Sequence, residues 1–232
     1  MHLLRGIVVH GFGLACALAM ASLPARAGSV RVSGDTITFD GRIDRTSAAQ
    51  FLQLLQDPQV TRLVITSRGG LVDPALDMAE AIHERQLDVE VPADCLSSCA
   101  NYIFPAARRK RLGWPGAVAW HGNMTHVLYL QQTGQAAWSD ERMADARRLA
   151  RREAAFFQRI GVDGFICWFG KIAPYDAEAF YYLSPSDMEK FGVRDVTLET
   201  AQAPEPGPEG LRQVAVEGDA RGIPRPFVRL DD

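Results

Sequence analysis

Apolar and polar residues alternate in two short segments, 29–32 and 36–39, with the period of two that marks half-buried strands. Asp40-Gly41 supplies a turn. Ser47 with Gln50 then forms a capping box for a helix whose inner side carries Phe51, Leu52, Leu54 and Leu55. Residues 62–67 are a short, mostly apolar run of the kind buried in a parallel sheet, and they end in Arg68-Gly69-Gly70. Asp73-Pro74 opens a helix, because proline at the first helical position gives up no hydrogen bond; Leu76, Ala79 and Ile82 follow on one face to about residue 84. Further along, the pattern predicts a strand at 87–91, a helix from 98 to about 104, and a strand at 118–121. A long charged helix is expected at 140–160, with Met143, Ala146, Leu149, Ala154 and Phe157 as its apolar positions. Ser184-Pro185 opens a last short helix that stops at Gly192, and residues 193–196 form a last strand. This alternation predicts one α/β domain over residues 28–200, a mainly parallel sheet flanked by helices. Residues 201–222 are rich in Pro, Gly and Glu without periodicity, so 201–232 is expected to be a flexible tail.

The N-terminus follows a different pattern. Arg5 precedes an uncharged, mostly apolar stretch at 7–23, then Pro24 and the small-residue site Ala25-Arg26-Ala27. This is the layout of a secretory signal peptide, residues 1–27, and predicts a periplasmic or secreted chain cleaved after Ala27. About 17 apolar residues could also just span a bilayer as a retained anchor, but the Ala-x-Ala site favours cleavage. Lipid attachment at Cys16 is disfavoured by Gly13, which stands where a large aliphatic residue is wanted. Cleavage removes Arg5 and Arg26 and takes the formal charge from −3 to −5. The one basic run, Arg108-Arg109-Lys110-Arg111, reads as a solvated surface turn, so nucleic acid is not an expected partner.

Cys95, Cys99 and Cys167 remain in the mature chain. In an oxidising compartment three cysteines allow one internal bridge, and the pairing stays open. No metal or other cofactor is expected. There is no Cys-x-x-Cys or paired-histidine motif, and His121 with His126 lacks further ligands.

Three segments place unusual backbone at strand ends. Ser67-Arg68-Gly69-Gly70 frees backbone N–H groups to face a ligand oxygen beside a helix start. Cys95-Leu96-Ser97-Ser98-Cys99 puts two serines at another strand-to-helix junction, where a hydroxyl serves either as a helix cap or as a nucleophile. His121 ends a short strand after Trp120; a lone histidine there is either a structural residue or a base.

Together, in this order, the segments resemble the Clp protease proteolytic subunit and the wider crotonase superfamily. The resemblance covers roughly residues 36–196. It includes the helix from Ser98 to Ala107 with the basic run after it, and the closing 182–193 segment. It implies a serine hydrolase, a peptidase acting on peptide or protein substrates, in which Gly69 or Gly70 helps to form an oxyanion hole and His121 acts as base. It further implies a homo-oligomer, with the 140–160 helix as a candidate contact, and outside the cytoplasm no ATP-driven unfoldase partner is expected. Ser98 is preferred as nucleophile on an ungapped count from Ala106-Ala107, whereas the Cys-x-Ser-x-Cys pattern of related secreted proteins favours Ser97. Phe180 stands where the resemblance expects the triad acid, with Asp176 and Glu178 nearby as substitutes. The alternative function is therefore a crotonase-like binding or assembly module without catalysis.

Overall fold

The computed structural model describes residues 29–113, 116–199 and 211–230. The expected signal peptide and its cleavage point lie outside these residues. β1 (Ser29–Ser33) and β2 (Thr36–Asp40) form the one antiparallel pair of the larger sheet, with Val30 opposite Phe39. β3 (Arg62–Thr66), β4 (Asp88–Val91), β6 (Lys110–Leu112) and β9 (Val196–Leu198) then add in parallel, in the order β1-β2-β3-β4-β6-β9. A second sheet holds β5 (Asp94–Leu96), β7 (Ala117–Trp120), β8 (Tyr181–Tyr182) and β10 (Arg212–Gln213), in the order β10-β8-β7-β5. The two sheets meet at Ser67, whose N–H donates to Asp94 O at 2.7 Å and whose carbonyl accepts from Leu96 N at 2.9 Å. That junction lays the Gly69-Gly70 loop beside the serine pair.

The helices cover the sheets as the apolar spacing requires, with corrections in several places. α1 (Arg45–Leu54) starts at Asp44: its carboxylate accepts from Ser47 N at 2.8 Å, so Ser47 is the inner member of the capping box and not its cap. α2 (Val72–Arg85) buries Leu76, Ala79 and Ile82 completely. A π-helical turn, Cys99–Ile103, runs into α3 (Phe104–Ala106). The basic run does not form a solvated turn. Lys110 and Leu112 point inward from β6 while Arg111 points out, and the buried Lys110 ammonium donates to Ala107 O at 2.7 Å. α4 (Met124–Gln132), capped by Asn123, lies in a stretch where no helix was expected.

α5 (Asp140–Ile160) has the expected bounds, but Ala154 is exposed and Glu153 is buried at 1 % exposure. Arg148 and Arg152 on α5 pair with Asp73, Asp77 and Glu80 on α2, so much of the charged surface expected to serve an oligomer contact is spent within the chain. α6 (Pro185–Lys190) follows the Ser184 cap, and the last strand of the larger sheet begins three residues later than expected, after a left-handed turn at Asp195.

The C-terminal segment is a further correction. Residues 211–230 pack against the domain: β10 extends the second sheet, Val214, Val216, Ala220 and Ile223 are buried, and Arg225 pairs with Asp163. Gln132 Nε2 donates to Arg229 O at 2.9 Å, which ties the end of this segment to α4. Pro and Gly mask the alternation of Val214 and Val216 that seats it. Among the described residues no helix is long and apolar enough to cross a membrane.

Candidate active site

Gly69 follows β3 in a left-handed conformation, φ +86°, closed to most L-residues. A Cβ there would sit 2.7 Å from Leu96 O and 2.8 Å from both Ser97 Cβ and Ser98 N. A Cβ on Gly70 would lie 1.9 Å from Ile43 O. The double glycine is thus required by close approach on both sides: Gly69 touches the serine pair, and Gly70 touches the strand extension at Ile43.

The serine pair divides sharply in orientation. Ser97 adopts φ +55°, unusual for a residue with a side chain, and its Oγ lies 2.7 Å from His121 Nε2. Ser98 is buried and its hydroxyl donates to Gly70 O at 2.9 Å, away from the imidazole. The preference for Ser98 is not supported by the geometry: the left-handed turn at Ser97 directs the first serine, and not the second, at His121. Cys95 and Cys99 form a disulfide across this turn, and Cys167 is free and buried, its thiol pKa raised first by burial and then by Glu153.

The backbone N–H groups next to Ser97 differ in whether they are taken. The Gly69 N–H is taken by Ser67 Oγ at 3.1 Å. Among the described residues the N–H groups of Gly70 and Ser98 have no protein acceptor, which leaves them free for a ligand oxygen. A cleft of about 650 Å³ opens over this point, lined by Asp40, Arg42, Arg68, Gly70, Asp94 and Ser97.

His121 comes off the end of β7, its ring packed on Phe180 with centroids 4.5 Å apart. The residue is exposed, yet partial desolvation, and then the charge of Lys171, lower its pKa below the ordinary 6.5. The imidazole is consequently neutral at pH 7 and able to accept a proton. No carboxylate hydrogen-bonds it among the described residues. Asp176 is exposed and makes no contact with it, and Glu178 offers only its backbone carbonyl, to Lys171 Nζ at 2.8 Å. The expected substitution of Asp176 or Glu178 for the missing acid is not made.

Residues overlooked in the sequence hold the base loop instead. Asn101, buried four positions after Ser97, donates from Nδ2 to Gly122 O at 2.9 Å and so ties the serine helix to the residue after His121. Its signal was an isolated amide in an apolar helix. Glu153 caps α4 through Met124 N at 3.2 Å and accepts from Tyr102 Oη. His126 is buried and stacks on Trp168, and His83 lies in the last turn of α2. Among the described residues no cluster of metal-ligating side chains forms.

No family model matches the sequence, and no curated protein matches it. Among solved structures, the ClpP protease catalytic domain from Plasmodium falciparum aligns at 15 % identity and a TM-score of 0.42, over 74 % of this chain and 88 % of that one. A methylmalonyl CoA decarboxylase aligns at 8 % identity and a TM-score of 0.30, over 39 % of this chain and 46 % of that one. The chain thus spans less than half of the decarboxylase's length. The fold described above and the roles proposed below rest on this chain's own geometry alone.

Proposed function

We propose that the chain is a serine hydrolase, acting as a peptidase on peptide or protein substrates, with Ser97 as nucleophile and His121 as general base. The observation that carries this is the 2.7 Å contact between Ser97 Oγ and His121 Nε2 beside two unpartnered N–H groups. Ser97 Oγ attacks the substrate carbonyl carbon while His121 Nε2 takes its proton. The N–H groups of Gly70 and Ser98 hold the resulting oxyanion, where fixed donors act most strongly on developing charge. Collapse breaks the C–N bond as His121 returns the proton to the leaving amine, and water then releases the acyl group from Ser97 by the same steps in reverse.

The chain acts outside the cytoplasm on this proposal, after removal of residues 1–27. The Cys95–Cys99 disulfide supports it, since such bonds persist mainly in oxidising compartments. Homo-oligomerisation belongs to the same proposal. Phe180 packed on His121 in place of an acid supports the rival, a binding module without catalysis.

The deciding experiment treats mature chain with a fluorophosphonate probe alongside Ser97→Ala, Ser98→Ala and His121→Ala. Labelling lost in Ser97→Ala and His121→Ala but kept in Ser98→Ala supports the hydrolase. Absence of labelling in folded wild type transfers the proposal to the binding module.

A further inference from the structure

The disulfide is placed symmetrically about the proposed nucleophile. Cys95 lies two residues before Ser97, on β5, and Cys99 two residues after it, at the start of the π-helical turn; both are fully buried. The covalent ring they close has Ser97 at its middle, and Ser97 is the one residue of that ring held at positive φ. A side chain disfavours this conformation, so a free strand-to-helix junction would relax toward negative φ and swing the hydroxyl elsewhere. Backbone bonds restrain the turn as well: Ser97 N donates to Ala119 O at 3.1 Å and Asn101 N to Ser97 O at 2.8 Å. These bonds hold Ser97 from outside the ring, while the bridge links the strand before Ser97 covalently to the helix after it.

We propose that Cys95 and Cys99 are positioning residues: their bridge holds Ser97 in the left-handed turn that sets its hydroxyl against His121, and the reduced chain has a misplaced nucleophile. Reduction takes two electrons from an external phosphine, which becomes its oxide as water supplies the oxygen and the two thiol protons, or two electrons and two protons from an external dithiol, and leaves two thiols. Because both cysteines are buried, thiol exchange on the folded protein is slow, so the bridge is a lock set at folding and not a rapidly toggled switch. The roles of Ser97 and His121 as nucleophile and base rest on the function proposed above; their juxtaposition does not.

The test compares the oxidised chain, the chain refolded in a phosphine reductant, and Cys95→Ala/Cys99→Ala. Cys95→Val/Cys99→Ala supplies a better-filled apolar version should the double alanine not fold. The first readout is the His121 imidazole nitrogen and proton resonances, with Ser97→Ala as the reference for a lost hydrogen bond. Coincidence of the reduced or bridgeless signals with those of Ser97→Ala supports the proposal. Signals that stay with the oxidised wild type overturn it, as does failure of every bridgeless form to fold, since the bridge would then hold the domain and not the serine. The second readout is the fluorophosphonate labelling rate, expected to fall on the order of 100-fold without the bridge. Absence of labelling in the oxidised chain would sink the hydrolase, while the imidazole signals still decide the positioning role.

Discussion

Replacing Glu153 by glutamine should change how stability depends on pH, in a direction that can be worked out from the structure. The carboxylate sits at 1 % exposure, accepting from Met124 N at 3.2 Å and from Tyr102 Oη. Burial raises its pKa from 4.5 to about 7, against the opposing pull of donors from Tyr102, Met124 and Thr125. Between pH 4.5 and 7 the folded chain keeps this proton and the unfolded chain has lost it. Stability from this group therefore falls as pH rises through that window, by about 3 kcal/mol at ~1.4 kcal/mol per pH unit. His126 acts in the opposite sense. Burial first, then Lys171 and His121, hold its pKa down at about 4 against an ordinary 6.5. From pH 4 to 6.5 the unfolded chain binds the extra proton, so stability from His126 rises with pH by a similar ~3 kcal/mol. The two slopes nearly cancel in the wild type, whose profile should be shallow up to about pH 6.5. Glu153→Gln removes one of them and exposes a stability that climbs with pH. Urea unfolding of both chains from pH 4.5 to 8, extrapolated linearly to water, measures the difference. A difference curve that stays flat across pH 4.5–7 would falsify the assignment of a buried, proton-holding carboxyl at Glu153.

Two further substitutions probe the site directly. Gly69→Ala meets Leu96 O at 2.7 Å and the serine pair at 2.8 Å while holding φ +86°, so it should lose about 2–4 kcal/mol in urea unfolding and abolish probe labelling. Gly34→Ala, at φ +58° in open space, should cost only about 1 kcal/mol and leave labelling intact; equal losses at the two positions would refute the close-approach argument. Phe180→Ala removes the ring packed on His121 and part of its desolvation, so the His121 pKa should rise toward 6.5 in an NMR titration. An unmoved titration would assign the depressed pKa to Lys171 and other neighbours.

The parts of this site that were legible in the sequence are those fixed by residue type at a strand end. Gly69-Gly70 announced a backbone that no side chain could occupy, and His121 closed a run of apolar strand residues. Between Ser97 and Ser98 the ungapped count from Ala106-Ala107 misled, whereas the Cys-x-Ser-x-Cys pattern pointed to the serine that faces His121; a left-handed serine is locally disfavoured, and it persists here under the local disulfide and the long-range bond to Ala119 O. The same holds for β6, where basic residues conceal an alternation that becomes visible only once Lys110 is seen to be inward-facing. In α5 the apolar periodicity led past Glu153 to Ala154. A buried carboxylate has no apolar signature; its partners, Tyr102 and Met124, lie 51 and 29 residues away in the chain. Asp176 shows the converse failure, since nearness in sequence to the expected acid position put no carboxylate within reach of the imidazole.

On the function proposed above, the absence of an orienting acid bears on the chemistry more than on the placement of His121. His121 is already held in place by Phe180 on one face and by the Asn101–Gly122 tether behind it, so orientation does not depend on a carboxylate. What an acid would add is stabilisation of the imidazolium formed when Ser97 gives up its proton. Here the charge that acts on that imidazolium is Lys171, which opposes it. Lowering the His121 pKa keeps the base neutral and ready at pH 7 while making it a weaker one, and the cost falls on the transition state. Loss of the acid's contribution in related triads is on the order of 10⁴-fold in turnover. A folded site with Ser97 and His121 in contact can therefore label with an activated phosphonate and still turn over amides slowly. On the function proposed above, the step that suffers is removal of the Ser97 proton, because that is where the imidazolium forms against desolvation and the charge of Lys171.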